Sequence, residues 1–292
     1  MFRQQRLRSA PARILAALFL LLATNLGLGG VSALAAAPGC DRTPNFERHQ
    51  FSNPTRIDNQ YLPLVPGTQF TLEGRANRGG GPLPHRVVFT VTDLTKVIDG
   101  VRSRVMWDVD INENVLVESE LAFFAQDDRG DVWNTGEYPE EYEGGTFTGA
   151  PNTWITGVDR ARAGVHMWAR PRIDARTYLQ GFSPTIDFLD CGRVVEKNQH
   201  VSVPAGNYDN VLVTEENSPL DPGRAVQRKF YAPGVGNVQI AAVDDPEGET
   251  LVLVKVERLK PHALAQVRRE ALKLDRHAYK VSDVYRHTPP AE

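Results

Sequence analysis

The sequence predicts a mainly β protein: a large curved antiparallel sheet or incomplete barrel with one C-terminal helix. Three observations carry that prediction. Short runs rich in Val, Ile, Phe, Tyr and Thr recur from Thr68 to Leu259. Clusters of Pro, Gly, Asn and Asp separate them at hairpin spacing. Only Pro261–Arg286 repeats apolar residues every three or four positions, as a helix face requires. No strand–helix alternation is present, which excludes doubly wound and βα-barrel folds.

Residues 1–37 differ from the rest. Arg3, Arg6, Arg8 and Arg13 precede an apolar run from Ile14 to Ala23, and small residues from Ala33 to Ala37 follow. This is the order of a secretory signal peptide. The rival is an uncleaved anchor, since Ile14–Ala37 is just long enough to span a bilayer. Asn25 and three glycines, Gly27, Gly29 and Gly30, argue for cleavage. The reading is a secreted, periplasmic or cell-envelope protein with no stable membrane span after signal cleavage. Loss of the leader moves the formal charge from −3 to −7. An acidic mature chain has no electrostatic footprint for nucleic acid.

The two cysteines, Cys40 and Cys191, both lie in the exported part. An oxidising compartment predicts a disulfide between them. Its loop of ~150 residues would contribute about 4–5 kcal/mol in the chain-entropy model. The rival for Cys40 is lipidation, because Ala37-Pro38-Gly39-Cys40 loosely resembles a bacterial lipobox.

Residues 38–260 read as a single antiparallel β domain. Its first stretch, 38–66, is irregular and is expected to run over the core surface. Strands are predicted at Thr68–Gly74, Arg86–Leu94 and Lys96–Ile98. Asp99-Gly100 is a strong hairpin signal. Val101–Ile111 answers it, with Val105, Trp107 and Val109 in register. Val115–Gln126 and Asp131–Thr135 follow, joined by Asp127-Asp128-Arg129-Gly130. Residues 136–184 break the pattern and read as a long, loop-rich excursion that is aromatic and acidic. From Val201 to Leu259 five strands form a meander, broken at Pro204-Ala205-Gly206, 219–223, Pro233-Gly234-Val235-Gly236 and 244–248. Pro261–Arg286 is an amphipathic helix expected to pack on the sheet, and residues 287–292 read as a frayed tail.

Catalytic and cofactor motifs are absent. There is no G-x-S-x-G elbow, H-E-x-x-H, phosphate loop or dinucleotide fingerprint. The seven histidines are scattered without metal-ligand spacing. No catalytic residue, metal ligand or cofactor is assigned. The aromatic residues Trp133, Tyr138, Tyr142, Trp154, Trp168 and Tyr178 are the candidate ligand-binding set, since rings and an irregular stretch together can form a pocket. The leading functional reading is a non-enzymatic exported protein that binds a lipid or another small apolar or amphipathic ligand. The rivals are a secreted hydrolase using carboxylates of 127–143, which requires those side chains to converge, and a structural or interaction module of the envelope. Oligomeric state is not legible.

Four motifs carry a resemblance: Asn59-Gln60-Tyr61-Leu62-Pro63-Leu64-Val65-Pro66-Gly67-Thr68; Thr95-Lys96-Val97-Ile98-Asp99-Gly100-Val101; Ala125-Gln126-Asp127 with Gly130 and Val132-Trp133; and Phe230 through Gly236. They resemble a bacterial family of secreted proteins whose motifs carry no assigned activity, with Asn134 standing where that pattern has an aromatic residue. The Tyr231–Gly236 ending of a long meander is also similar to exported domains with the open half-barrel of lipoprotein carriers. The resemblance implies export and a curved sheet, and transfers no catalytic residue.

Overall fold

The computed structural model describes residues 39–77, 81–220, 225–243 and 248–292. The leader of 1–37 and parts of the turns at 219–223 and 244–248 lie outside the described residues.

Tight turns with the backbone twist of hairpins organise the chain. At Asp99-Gly100 both residues have positive φ, 46° and 80°. That geometry matches the right-handed twist of the flanking strands and admits Gly at the second position without a Cβ clash. It joins β4 (Pro82–Ile98) to β5 (Val101–Asn112). Glu113-Asn114 repeats the device with φ of 49° and 67°, leading to β6 (Val115–Gln126).

Before these come two short strands, β1 (Ile57–Asp58) and β2 (Pro63–Leu64), paired only with each other, and β3 (Thr68–Asn77). After them come β7 (Val132–Glu143), β8 (Thr146–Gly149), β9 (Trp154–Ile155), β10 (Arg162–Met167) and β11 (Tyr178–Ser183). The meander follows as β12 (Phe188–Val203), β13 (Gly206–Asn217), β14 (Val226–Ala232), β15 (Gly236–Val243) and β16 (Thr250–Arg258). Its strands and breaks fall where the Pro and Gly punctuation puts them.

The sheet closes. Its order runs β10-β11-β12-β13-β14-β15-β16-β3-β4-β5-β6-β7, and β7 pairs back onto β10, through Gly164 opposite Asn134 and Val165 opposite Trp133. All neighbours are antiparallel, so the result is a closed barrel of twelve strands and not the incomplete barrel expected. Closure removes two exposed sheet edges. The seam is tight: a Cβ on Gly164 would lie 2.3 Å from the carbonyl oxygen of Leu179. The stretch 136–184 is therefore wall rather than a loop-rich excursion. It holds the second half of β7 and all of β8 to β11. Its alternation fails in sequence because the strands are short and bulges interrupt their registers.

Apolar residues fall into compartments on the two faces of the wall. Inward residues such as Leu72, Val87, Val91, Val211 and Leu253 form one cluster. Outward residues Leu94, Ile98, Val105, Leu121 and Phe123 form another, covered by α1 (Pro261–Val281) through Ala271, Leu274 and Ala278. Pro261 occupies the first turn, where its missing N–H costs nothing. A fully buried Leu contributes about 2 kcal/mol, so this seam is a substantial anchor for the helix. The residues beyond it are not frayed. Ala291 is buried, and the N–H and carbonyl of Glu292 pair with the backbone of Thr95 at 2.9 Å each.

The opening segment also departs from expectation. Ile57, Tyr61 and Leu64 are buried in the inward cluster rather than laid over the surface. Cys40 and Cys191 form the expected disulfide, with Cα atoms 5.6 Å apart across 151 positions of sequence. It ties this segment to β12 and leaves no Cys40 thiol for a lipid. Among the described residues no helix is long and apolar enough to cross a membrane.

Candidate functional site: a polarised cavity in the barrel

Strand direction divides the barrel into two ends. β4, β6, β14 and β16 run toward the end that carries the turns at 99–100, 127–131 and 233–235. The segment 57–66 plugs this end. The N–H of Gly234 donates to Gln60 O at 2.7 Å, and Asn59 Nδ2 donates to Gly130 O at 2.9 Å. Gln126 Oε1 accepts from the backbone N–H groups of Asp58 and Asn59. The plug presents Leu62, Pro63 and Leu64 to the lumen, beside Phe70, Phe124 and Tyr231 from the wall. Beyond this apolar floor lies a cavity of about 300 Å³, at the lower end of the ~300–1,000 Å³ typical of small-molecule sites.

Toward the opposite end the cavity wall is acidic. Asp108 and Asp110 come from β5, Glu118 and Glu120 from β6, Glu137 from β7 and Glu249 from the residue just before β16. β5 and β6 are paired so that Asp108 lies opposite Glu120 and Asp110 opposite Glu118. Burial, then the charges of Glu118 and Asp110, push the Asp108 carboxyl well above the ordinary carboxylate range. Burial, then Glu137, Glu118 and Asp108, do the same to Glu120. Glu137 is also raised by burial, although it accepts hydrogen bonds from Trp154 Nε1 at 2.9 Å and Asn134 Nδ2 at 2.5 Å. Deeper in the same field, burial and Glu216 raise Asp190 to about 7.

Among the described residues, three basic groups share this region. His85 is held between Asp110 at 3.1 Å and Glu249 at 2.9 Å. Burial opposes its charge, but the flanking carboxylates of Asp110 and Glu249 prevail and raise it to about 10. Lys229 pairs closely with Glu216. His166 stacks edge-on against Phe124, and burial lowers it to about 4, so it is neutral at pH 7. Among the described residues no group of three or more His, Cys, Asp or Glu side chains is placed to hold a metal ion.

None of the six aromatic candidates lines this cavity. Trp133, Trp168 and Tyr178 do come together, but with Phe46 and Phe51 in a separate cluster that packs the opening segment against the closing seam. Tyr138 and Tyr142 both donate to Glu140 at 2.6 Å, and His277 of α1 shares that carboxylate, so they brace the helix. Trp154 comes closest in role, since its indole N–H positions Glu137. The carboxylates of 127–143 do not converge in one cleft. Asp127 caps its own turn, accepting from the N–H groups of Arg129 and Asp131, while Glu140 faces the helix and Glu137 alone reaches the lumen. That stretch therefore does not bring together the paired carboxylates that a hydrolase built on it requires.

The signal that marks the belt was present in sequence as Asp108-Val109-Asp110 and Glu118-Ser119-Glu120. They flank a two-residue turn and bring carboxylates face to face once the hairpin closes.

No protein-family model and no curated protein matches the chain. Two solved structures show a distant likeness to the chain. One, from Bacteroides fragilis, is described as an exported protein with a YmcC-like fold; it is 14% identical, with 68% of this chain and 99% of that one covered and a TM-score of 0.38. The other, from Parabacteroides distasonis, is described as a lipoprotein; it is 12% identical, with the same coverage and a TM-score of 0.32. These likenesses are too distant to bear on function.

Proposed function

We propose that this is an exported, non-enzymatic binding protein that holds a small amphipathic molecule inside its barrel. The observation that supports it is the polarised lumen: a cavity with an apolar floor at the plugged end and polar side chains at the other. A core built only for stability would be filled to crystal-like density. The envelope or extracellular location rests on the basic, apolar and small-residue order of residues 1–37 and on a disulfide suited to an oxidising compartment. A docking role for α1 has less support, because its apolar face is already spent on the barrel wall.

Ala122 on β6 lines the cavity and is small, so Ala122→Phe should fill it while the barrel stays closed. N-phenyl-naphthylamine, a neutral amphipathic dye, should show saturable fluorescence with the wild-type protein and none with that variant. Native mass spectrometry of protein from its own host should show a retained small molecule that Ala122→Phe lacks. Absence of both signals in the wild type would end this reading.

A further inference from the structure

The closing seam of the barrel carries an irregularity that turns one side chain into the lumen. Along β10, Gly164 faces Asn134 and Val165 faces Trp133 of β7, and the next pair is Met167 with Val132. His166 is the extra residue of this bulge and has no partner on β7. A bulge bends its strand and re-aims a side chain. Here Val165 packs outward with Trp133 and Tyr178, while His166 and Met167 both turn inward, Met167 into the apolar cluster and His166 into the cavity. The imidazole lies edge-on against Phe124, with 5.4 Å between ring centres, where the apolar floor meets the polar wall. It is only partly covered, and no described residue hydrogen-bonds its ring nitrogens. The backbone carbonyl alone is engaged, by Gln180 Nε2 at 3.4 Å. Polar groups nearby already have partners: Glu137 accepts from Trp154 and Asn134, Gln227 donates to Glu249, and Lys229 pairs with Glu216.

From this arrangement we infer that the molecule held in the lumen is a neutral amphipathic alcohol, its hydroxyl hydrogen-bonded to His166 and its chain on the floor made by Leu62, Leu64 and Phe70. The inference rests on the binding role proposed above and names the polar group of the ligand. A neutral imidazole offers one N–H donor and one acceptor nitrogen, and a hydroxyl offers one donor and two acceptor lone pairs, so the two match. An ionised head fits less well. Burial is the largest influence on His166 and holds its ring uncharged at pH 7. The same burial acts on a ligand's ammonium or carboxylate, whose removal from water costs far more than that of a hydroxyl. The size is also suitable. A cavity of ~150 Å³ admits benzene, and this one, at about 300 Å³, admits a chain of medium length.

Four probes of similar length test this by calorimetry at neutral pH on the full-length exported protein: octanol, its isomer methyl heptyl ether, octylamine and octanoate. Octanol should bind about three- to tenfold tighter than the ether, which lacks the O–H donor, and tighter than either ion. His166→Phe and His166→Met each remove both ring nitrogens and keep an apolar side chain against Phe124. Each should bring octanol down to the affinity of the ether while the ether binds as before, so loss of the preference cannot be ascribed to unfolding. The alcohol is overturned, and the amphipathic binder stands, if the wild type does not separate octanol from its isomer, if an ion binds best, or if either variant keeps the preference. It is also overturned if the dye binds and none of the four probes does. If none of the four binds and the dye also fails, the binding role falls with it.

Discussion

Two charge systems are buried in this protein, one on each face of the barrel wall, and they obey opposite rules. Outside, under α1, Lys96 meets Asp275 at 3.0 Å, with both side chains almost wholly enclosed. Lys96 Nζ also donates to the Tyr279 hydroxyl and to Pro289 O, and sits 4.0 Å from the centre of the Tyr285 ring. Asp275 in turn accepts from the Tyr285 hydroxyl at 2.7 Å and more weakly from the N–H of Ala291. Every polar atom there has a local partner, and charge balances charge. Inside, carboxylates gather on one wall of the lumen, and two pairs of them face each other across β5 and β6. A buried ion pair that is complete fixes geometry. Carboxylates opposed across two strands repel one another, and sites of that kind are where a fold gives up stability for function.

The sharpest way to break this contrast is to make the outer system incomplete as well. Lys96→Met leaves the Asp275 carboxylate buried without its cation and should cost about 3–5 kcal/mol, read as a drop in urea midpoint. Lys96→Met combined with Asp275→Leu removes both charges and should recover most of the loss, because well-packed apolar replacements of ion pairs are often neutral. The reverse operation inside should have the opposite sign and a smaller size. Asp108→Asn relieves one opposed pair and should stabilise the unliganded barrel by roughly 0.5–1 kcal/mol. A destabilised Asp108→Asn protein would mean that the carboxylate is satisfied within the barrel, and the distinction between the two systems would fail.

The same contrast explains what could be read from the chain. Hairpins were legible because local chemistry dictates them: Asp99-Gly100 and the Pro and Gly breaks of the meander need no tertiary information. The disulfide followed from compartment and count. Closure was not legible, since the pairing of Val132–Asn134 with Gly164–Met167 joins two short segments across bulges, and no propensity encodes a partner. The site was hidden for a subtler reason. Val105 and Trp107 alternate with Met106, Asp108 and Asp110, and an apolar row ordinarily marks the inward face. Here that row faces α1, and the acidic row faces the lumen. A helix on the outside and a polar cavity inside invert the usual alternation. The aromatic candidates lie elsewhere: rings such as Trp133 and Tyr178 seal the seam where the barrel closes.

The subtlest separation of the two systems is by pH. His85, on the lumen side, has its folded pKa raised from 6.5 to about 10. The folded state then holds a proton that the unfolded state has lost, so its contribution is complete below pH 6.5 and disappears as pH rises through 10. Lys96, on the helix side, is lowered from 10.5 to about 8 by burial, against the pull of Asp275. Between pH 8 and 10.5 the unfolded chain holds the proton that the folded one has released, so this site alone makes stability rise with pH. The slopes oppose each other, and the wild-type urea midpoint should change little between pH 8 and 10. His85→Gln should expose the rising slope. Lys96→Met, with its lower overall stability, should expose the falling one. If both variants kept the wild-type profile, neither group would titrate in this window, and the opposed burial of charge on the two faces of the wall would lose its pH signature.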